Sequence, residues 1–363
     1  MSVIGNCFSE SFNFAFYIEG LKIKGMKIIL LTFILFCSLL GFAQSRYYSD
    51  PVKIPLNLSA SFAELRSNHF HSGIDIKTKG VTGIAINSVA DGFISRIAVS
   101  PSGFGRALYI NHPNGTTSVY AHLKSFRDDI DEYVKKEQYA RQSFRVNLQV
   151  PKNKFKVFQN EIIAYSGNSG SSAGPHLHFE IRDTESEEPL NPLKYDFPVA
   201  DNAAPKIFSL MLVPLDENAH VNYSNHKKRY PVVFYDGQFH ISKNPLIPVH
   251  GKVGFAIQAN DYFDNSWNKC GIYTLKLKID REPYYSFKKD RFAFYETRYL
   301  NSHIDYEEYK TSRRRYIKAW QDPGNNLRIY DYVREAGIFD FNDGNIHQIK
   351  FELTDTHGNL SEL

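Results

Sequence analysis

The segment Gly174-Pro175-His176-Leu177-His178-Phe179-Glu180 constrains the fold more than any other stretch of this chain. Side chains alternate between the faces of an extended strand, so His176 and His178 project to the same side. About a hundred residues upstream lies His71-Ser72-Gly73-Ile74-Asp75. His71 and Asp75 are four apart, which is same-face spacing on a strand or a helix, and Gly73 between them argues for an extended or turning path. Two histidines and a carboxylate make the open ligand set of a hydrolytic zinc site, in which water takes the fourth position. One histidine of the His-x-His pair can hold the metal while the other works on what the metal activates.

The fold must therefore bring two distant segments together, and the rest of the chain indicates how. The 363 residues are comfortable for two domains, and a composition that is 42% hydrophobic and 23% charged is that of a globular protein. Aromatic residues reach 15%, nearly all Tyr and Phe, which favours strands. Short alternating stretches bounded by glycine or asparagine turns recur from Pro55 to Phe197: Ile84–Val89, Gly92–Ala98, Ala107–His112, Thr117–His122 and Ile162–Ser166. Pro113-Asn114-Gly115 between two of them is a hairpin turn. Phe126, Ile130, Tyr133 and Val134 recur at helical spacing, so residues 126–143 are read as one amphipathic helix inserted at the sheet edge. Strands are expected on either side of a lysine-rich turn, at Phe144–Val150 and Phe155–Phe158.

After Ala203-Ala204-Pro205, read as a linker, further strands are expected at Phe208–Val213, Val253–Ala259, Gly271–Ile279 and His347–Leu353. Their spacing points to β-sandwich modules. The fold class is thus mainly β: an antiparallel sheet domain over 50–198 with a small helical insertion, followed by a β-sandwich-like region over 205–363. Two strand-end turns in that second region resemble each other, Asp261-Tyr262-Phe263-Asp264-Asn265-Ser266 and Asp355-Thr356-His357-Gly358-Asn359. Asp and Asn are common in turns for backbone reasons, and a calcium role is the sharper alternative.

The N-terminus reads as an export signal, residues 1–43, with Met26 as the more ordinary start. Lys22, Lys24 and Lys27 precede an apolar run from Ile28 to Leu40, followed by Gly41-Phe42-Ala43-Gln44. The run is short for a membrane span, so no stable span is expected after processing. Cleavage after Ala43 would remove Cys7 and Cys37 and leave Cys270, which excludes an intrachain disulfide. A secreted or periplasmic location follows. The formal charge of +4 suits mild attraction to an anionic polymer such as a cell wall and is too weak to suggest nucleic acid. The chain has no Walker loop, dinucleotide fingerprint or HExxH helix.

Three segments in order now carry a resemblance. Asn68–Ile76 is similar to the HxGxD signature of the lysostaphin and LytM-type zinc endopeptidases, which hydrolyse peptidoglycan on a duplicated hybrid motif fold. Tyr120-Ala121-His122-Leu123 resembles their YxHL segment, and Gly167–Gly170 followed by Gly174–Glu180 resembles their closing GxxG…GPHLHFE segment. The resemblance covers about residues 60–195. It implies Zn2+ held by His71, Asp75 and His178, with His122 and His176 as the non-ligand catalytic pair facing the bound water. The implied chemistry is attack of zinc-bound hydroxide on a peptide bond of a peptidoglycan stem or cross-bridge, one imidazole taking the proton and the other donating to the oxyanion. His69 falls outside the implied ligand set, His112 is read as structural, and Glu180 is placed to orient a ligand. Arg66 and Asn68 are candidates for contacting substrate. Two rivals stand beside this reading: a non-catalytic LytM-like module that binds wall or activates another hydrolase, and a zinc peptidase acting on a protein.

Overall fold

The computed structural model describes residues 46–243, 246–264 and 266–363; the expected export segment and its two cysteines lie outside them. The site-bearing half is built from twelve strands and one helix. In chain order these are β1 (Leu58–Ala60), β2 (Ile74–Lys77), β3 (Ala85–Asn87), β4 (Gly92–Val99), β5 (Arg106–Asn111), β6 (Thr116–Ala121) and β7 (Ser125–Phe126). There follow α1 (Asp128–Ala140), β8 (Val146–Gln149), β9 (Lys156–Val157), β10 (Ile162–Tyr165), β11 (His176–Asp183) and β12 (Pro189–Leu190). Nine of the strands form one antiparallel sheet, ordered β1-β2-β11-β6-β5-β4-β8, with β12 beside β11 and β9 beside β4; β3, β10 and β7 form a smaller sheet. Fold class and antiparallel pairing are those expected from the alternating pattern.

Alternation decides which side chains meet. Leu177, Phe179 and Ile181 of β11, Tyr120 of β6, and Ile74 and Ile76 of β2 all enter one apolar core with Leu108, Ile110 and Ile163. Their neighbours in sequence, His176, His178, Glu180 and Asp75, are thereby turned to the opposite face. The expected hairpin joins β5 and β6: Gly115 has φ +81°, and the Asn114 Oδ1 accepts hydrogen bonds from the Thr116 N–H and hydroxyl at 3.2 and 2.7 Å. The inserted helix is present and buries Ile130 and Val134, and it leads into the edge strand β8. Gly73 is required by a close approach. A Cβ there would lie 2.2 Å from the Phe179 carbonyl oxygen, in the backbone of the paired strand β11.

The second half has two large antiparallel sheets closed on one core, with a two-stranded pair, His220–Val221 and Val249–His250, beside them. One sheet centres on Lys206–Pro214 and Lys252–Asn260, the other on Thr274–Ile279, Glu282–Lys288 and Ile349–Thr354. Leu210, Phe255, Ile257, Leu275, Phe287 and Phe351 fill the space between. The same core takes in Phe62, Ala63, Leu65 and Phe70, which belong to the loop before β2. Phe62 and Phe70 each lie 5.3 Å from the Phe292 ring, and the Phe70 N–H donates to Thr297 Oγ1 at 2.7 Å. The loop that delivers His71 is therefore anchored in the sandwich, and residues Tyr47–Leu363 form one compact unit. Among the described residues no helix is long and apolar enough to cross a membrane.

Candidate active site

Strand register places the first two groups. His178 of β11 pairs directly with Asp75 of β2 on one side and with Ala121 of β6 on the other. A slip of one residue would send Asp75 or His178 into the apolar core, so the packing of Ile74, Ile76, Leu177 and Phe179 fixes the site. His71 arrives from the loop before β2, where its backbone exchanges hydrogen bonds with Ala63 and Glu64 at 2.8 and 2.9 Å.

Three atoms converge there. His71 Nε2 lies 3.0 Å from Asp75 Oδ1 and 3.0 Å from His178 Nδ1, and His178 Nδ1 lies 2.9 Å from Asp75 Oδ1. Ligand atoms around a tetrahedral zinc at ordinary bond lengths stand about 3.3 Å apart, so the spacing fits one small cation. The remaining ring nitrogens are tied off. His71 Nδ1 faces the Ser61 carbonyl at 2.8 Å, and His178 Nε2 faces Glu180 Oε1 at 2.8 Å. A carbonyl and a carboxylate can only accept, so those nitrogens carry the protons and the converging ones present lone pairs to a metal.

Glu180 is fully buried, accepts from Arg182 Nε at 2.5 Å and also from the Ser72 hydroxyl. Burial pushes its carboxyl up, but the Arg182 and His178 charges outweigh that and hold it at about 2. Burial disfavours the His178 cation, yet the Asp75 and Glu180 carboxylates dominate and raise His178 to about 9. Asp75 is held well below the usual carboxylate range: burial opposes ionisation, and the three surrounding imidazoles of His71, His176 and His178 reverse it. A site that attracts positive charge this strongly suits a divalent cation in place of protons.

Beside the converging atoms stand the other two imidazoles. The His122 and His176 ring centroids are 4.8 Å apart, and His176 Nε2 is 3.5 Å from Asp75 Oδ1. His122 Nδ1 donates to the Ser169 carbonyl at 2.8 Å and His176 Nδ1 to the Gly174 carbonyl at 2.8 Å. With its Nδ1 donating, His122 has its Nε2 available to accept a proton, whereas the His176 Nε2 faces the acceptor Asp75 Oδ1. Burial, then the nearby His178 charge, lower His122 to about 4, which keeps it neutral at ordinary pH. His122 also sits at φ +59°, an uncommon conformation for a residue with a Cβ, imposed where the chain leaves β6.

The structure thus gathers His71, Asp75, His122, His176 and His178 into one cluster. His69 is exposed and lies in the turn before His71; His112 is spent on the Asp91 carbonyl and Ser118 hydroxyl, each at 2.8 Å. Arg66 reaches Asp75 Oδ2 at 3.3 Å, and Asn68 Oδ1 accepts from Asn301 Nδ2 at 3.4 Å. Two contributors were not found from the sequence. The Phe104 ring covers His178, with centroids 5.0 Å apart. Ser169 staples the closing loop, its hydroxyl accepting from the Arg106 N–H at 2.9 Å and donating to the Leu123 carbonyl at 2.8 Å. Cys270 is buried and its thiol is pushed far up by burial, so it offers no nucleophile.

Residues 69–141 match the family model of Peptidase family M23, and the same domain carries the His-Asp-His donor set. DD-carboxypeptidase/endopeptidase Mpg of Neisseria meningitidis serogroup B is 31% identical over 145 residues, which are 39% of this chain and 27% of that protein. An uncharacterized metalloprotease of Haemophilus influenzae is 29% identical over 128 residues, 35% of this chain and 21% of that protein. The chain thus spans about a quarter of the length of the curated relatives it matches. Among solved structures, a zinc containing peptidase from Vibrio cholerae is 25% identical with a TM-score of 0.31, covering 42% of this chain and 41% of that one. The catalytic domain of lysostaphin from Staphylococcus simulans is 19% identical with a TM-score of 0.29, covering 39% of this chain and 91% of that one. The likeness to Peptidase family M23 thus falls on residues 69–141, the stretch that carries His71, Asp75 and His122.

Proposed function

We propose that the chain is an exported zinc metalloendopeptidase that hydrolyses peptide bonds in peptidoglycan stems or cross-bridges. The observation that carries the reading is the mutual 2.9–3.0 Å approach of His71 Nε2, Asp75 Oδ1 and His178 Nδ1, with every other ring nitrogen of those ligands committed elsewhere. His71, Asp75 and His178 would hold the zinc. Zinc so held lowers the pKa of water to about 7 and polarises a substrate carbonyl.

The chain's own residues supply the proton handling. His122 and His176 stand beside the metal position, their Nδ1–H groups fixed by the Ser169 and Gly174 carbonyls, with the His122 Nε2 open to a proton and the His176 Nε2 3.5 Å from Asp75 Oδ1. One of the pair takes the proton from the attacking water and in doing so becomes a donor for the leaving nitrogen; the other orients water or substrate. The Phe104 ring beside His178 keeps bulk water from that side of the donor set. Export rests on the N-terminal segment, and the peptidoglycan substrate on agreement between that destination and the M23 likeness. A complete donor set speaks against a purely wall-binding module.

Digestion of purified peptidoglycan with and without a chelator tests the reading. Stem-peptide products that vanish on chelation and return with zinc support it. Release of no product, together with cleavage of a glycine-rich protein, would favour the protein substrate; no cleavage of either would favour the non-catalytic module.

A further inference from the structure

The two similar strand-end turns of the sandwich meet in space. Asp261 follows the strand Lys252–Asn260 and Asp355 follows the strand Ile349–Thr354. Asp201, from the connector between the two halves, joins them. The Asn359 side chain donates to the Asp201 carbonyl at 3.1 Å, and the Asn202 N–H and side chain donate to Asp264 at 3.0 and 2.6 Å. Three separate segments thus bring Asp201 and Asp355 together, with Asp261 near enough for their charges to act on it.

These are not surface carboxylates. Asp201, Asp261 and Asp355 are 7%, 3% and 2% exposed. Ligand atoms of Asp201, Asp355 and His357 lie within 4.8 Å of one another. Asp261 Oδ1 is buried and takes no hydrogen bond, and Asp201 Oδ2 is buried with only the His357 imidazole near it. His357 stands at the rim, its Nδ1 3.5 Å from Asp201 Oδ2 and its side chain 28% exposed. Asp355 Oδ1 is occupied by the His357 and Asn359 N–H groups, both at 2.9 Å, which fixes the direction of its carboxylate.

A buried carboxylate oxygen without a partner is costly, and three mutually repelling carboxylates more so. We propose that Asp201, Asp261 and Asp355 bind a divalent cation of the calcium class, which ties the connector to the end of the sandwich. Carboxylate oxygens converging from turns are the hard donors calcium takes, and the site has His357 only at its edge. Burial, reinforced by the Asp201 and Asp355 charges, pushes the Asp261 carboxyl up to about 8, the direction that crowding of unneutralised carboxylates produces. The cation would hold in place the stretch of chain that leads from the M23-type domain into the sandwich core, the same core in which Phe62 and Phe70 of the His71 loop are anchored.

The test uses the whole chain carrying His178→Ala, so that the zinc site does not contribute. After chelator treatment and its removal, calcium chloride is titrated in by calorimetry and thermal unfolding is followed. The expected result is one calcium per chain and a rise in Tm of about 3 °C or more at a hundredfold excess over Kd. Adding Asp261→Asn, or separately Asp201→Asn, should weaken calcium binding at least tenfold and abolish the Tm rise. Asp261→Asn should not lower Tm in chelator, since it removes a buried like charge. His357→Ala should leave calcium binding in place. No heat and no Tm shift at millimolar calcium, or an unchanged calcium response in Asp261→Asn, would overturn the site and leave a proton as its occupant. Tighter binding of manganese or zinc that is lost with His357→Ala would overturn the calcium assignment. None of these readings involves peptide cleavage, so they stand apart from the proposed function.

Discussion

Replacing Glu180 by glutamine probes how the proposed zinc ligand His178 is held. The two side chains have the same shape, so the change removes charge and one acceptor without opening a cavity. Glu180 now accepts from His178 Nε2 at 2.8 Å through one oxygen and from Arg182 Nε at 2.5 Å through the other. A glutamine amide can satisfy one of these donors only, and its NH2 must then face the second. If the NH2 faces His178, the ring is driven toward the wrong tautomer and its Nδ1 lone pair is lost to the metal. If it faces Arg182, a guanidinium only 5% exposed is left against a donor. Outer contacts of this kind are worth ten- to a hundredfold in metal affinity, about 1.4–2.7 kcal/mol. Breaking the buried pair with Arg182 adds a stability loss of about 3–5 kcal/mol. Zinc affinity is measured by competition with a chromophoric chelator at a temperature where circular dichroism shows the variant folded. Ser72→Ala, which removes a donor to Glu180 but keeps its charge, should weaken zinc less than Glu180→Gln does. A folded Glu180→Gln protein that binds zinc as tightly as the parent would refute the claim that this carboxylate sets the His178 tautomer.

Further outcomes are expected. His178→Ala should lose zinc, whereas His122→Ala should keep one zinc per chain and lose about two to four orders of magnitude in turnover; metal analysis and kinetics separate the two, and equal zinc loss in both would contradict the division of roles. His303 is fully buried, its Nε2 has no hydrogen bond, and burial together with the Lys289 and Lys318 charges holds its pKa well below the ordinary value. The unfolded chain therefore binds a proton that the folded one refuses. Stability is present above about pH 6.5 and falls as pH drops below it, by up to about 1.4 kcal/mol per pH unit for this one group. Urea titrations across pH 4–8 should show that His303→Gln flattens this slope, whatever its effect on stability at pH 8; an unchanged slope would mean that His303 does not titrate on unfolding.

Much of the architecture was readable because period-two alternation and turn chemistry are local. The β5–β6 hairpin, the helix carrying Ile130 and Val134, and the sandwich strands Lys206–Pro214 and Lys252–Asn260 lie within a few residues of where the pattern puts them. The hairpin between Lys228–Tyr235 and Gln238–Ile241 was missed, although its Asp236-Gly237 turn, with φ +51° and +75°, is a two-residue signal of the same kind. Three short motifs marked the five histidine and aspartate positions as candidates, and the sheet order β2-β11-β6 puts the last motif between the first two, which the motif order along the chain does not reveal. Their supports were not legible: Ser61 and Ser169 act through backbone carbonyls, which any residue type supplies, and Phe104 is one aromatic among many. Nor was the anchoring of the His71 loop in the sandwich, since Phe62 and Phe70 read as ordinary apolar residues until Phe292 is placed beside them.

The central claim is that His71, Asp75 and His178 share one zinc. Zinc K-edge absorption on the purified chain, with metal content measured on the same sample, addresses it most directly. The account predicts one zinc per chain with two imidazole nitrogens and light oxygen donors at about 2.0–2.1 Å, and loss of one imidazole shell when either His71 or His178 is replaced. A zinc shell containing sulfur, or one that is unchanged in both variants, would contradict it.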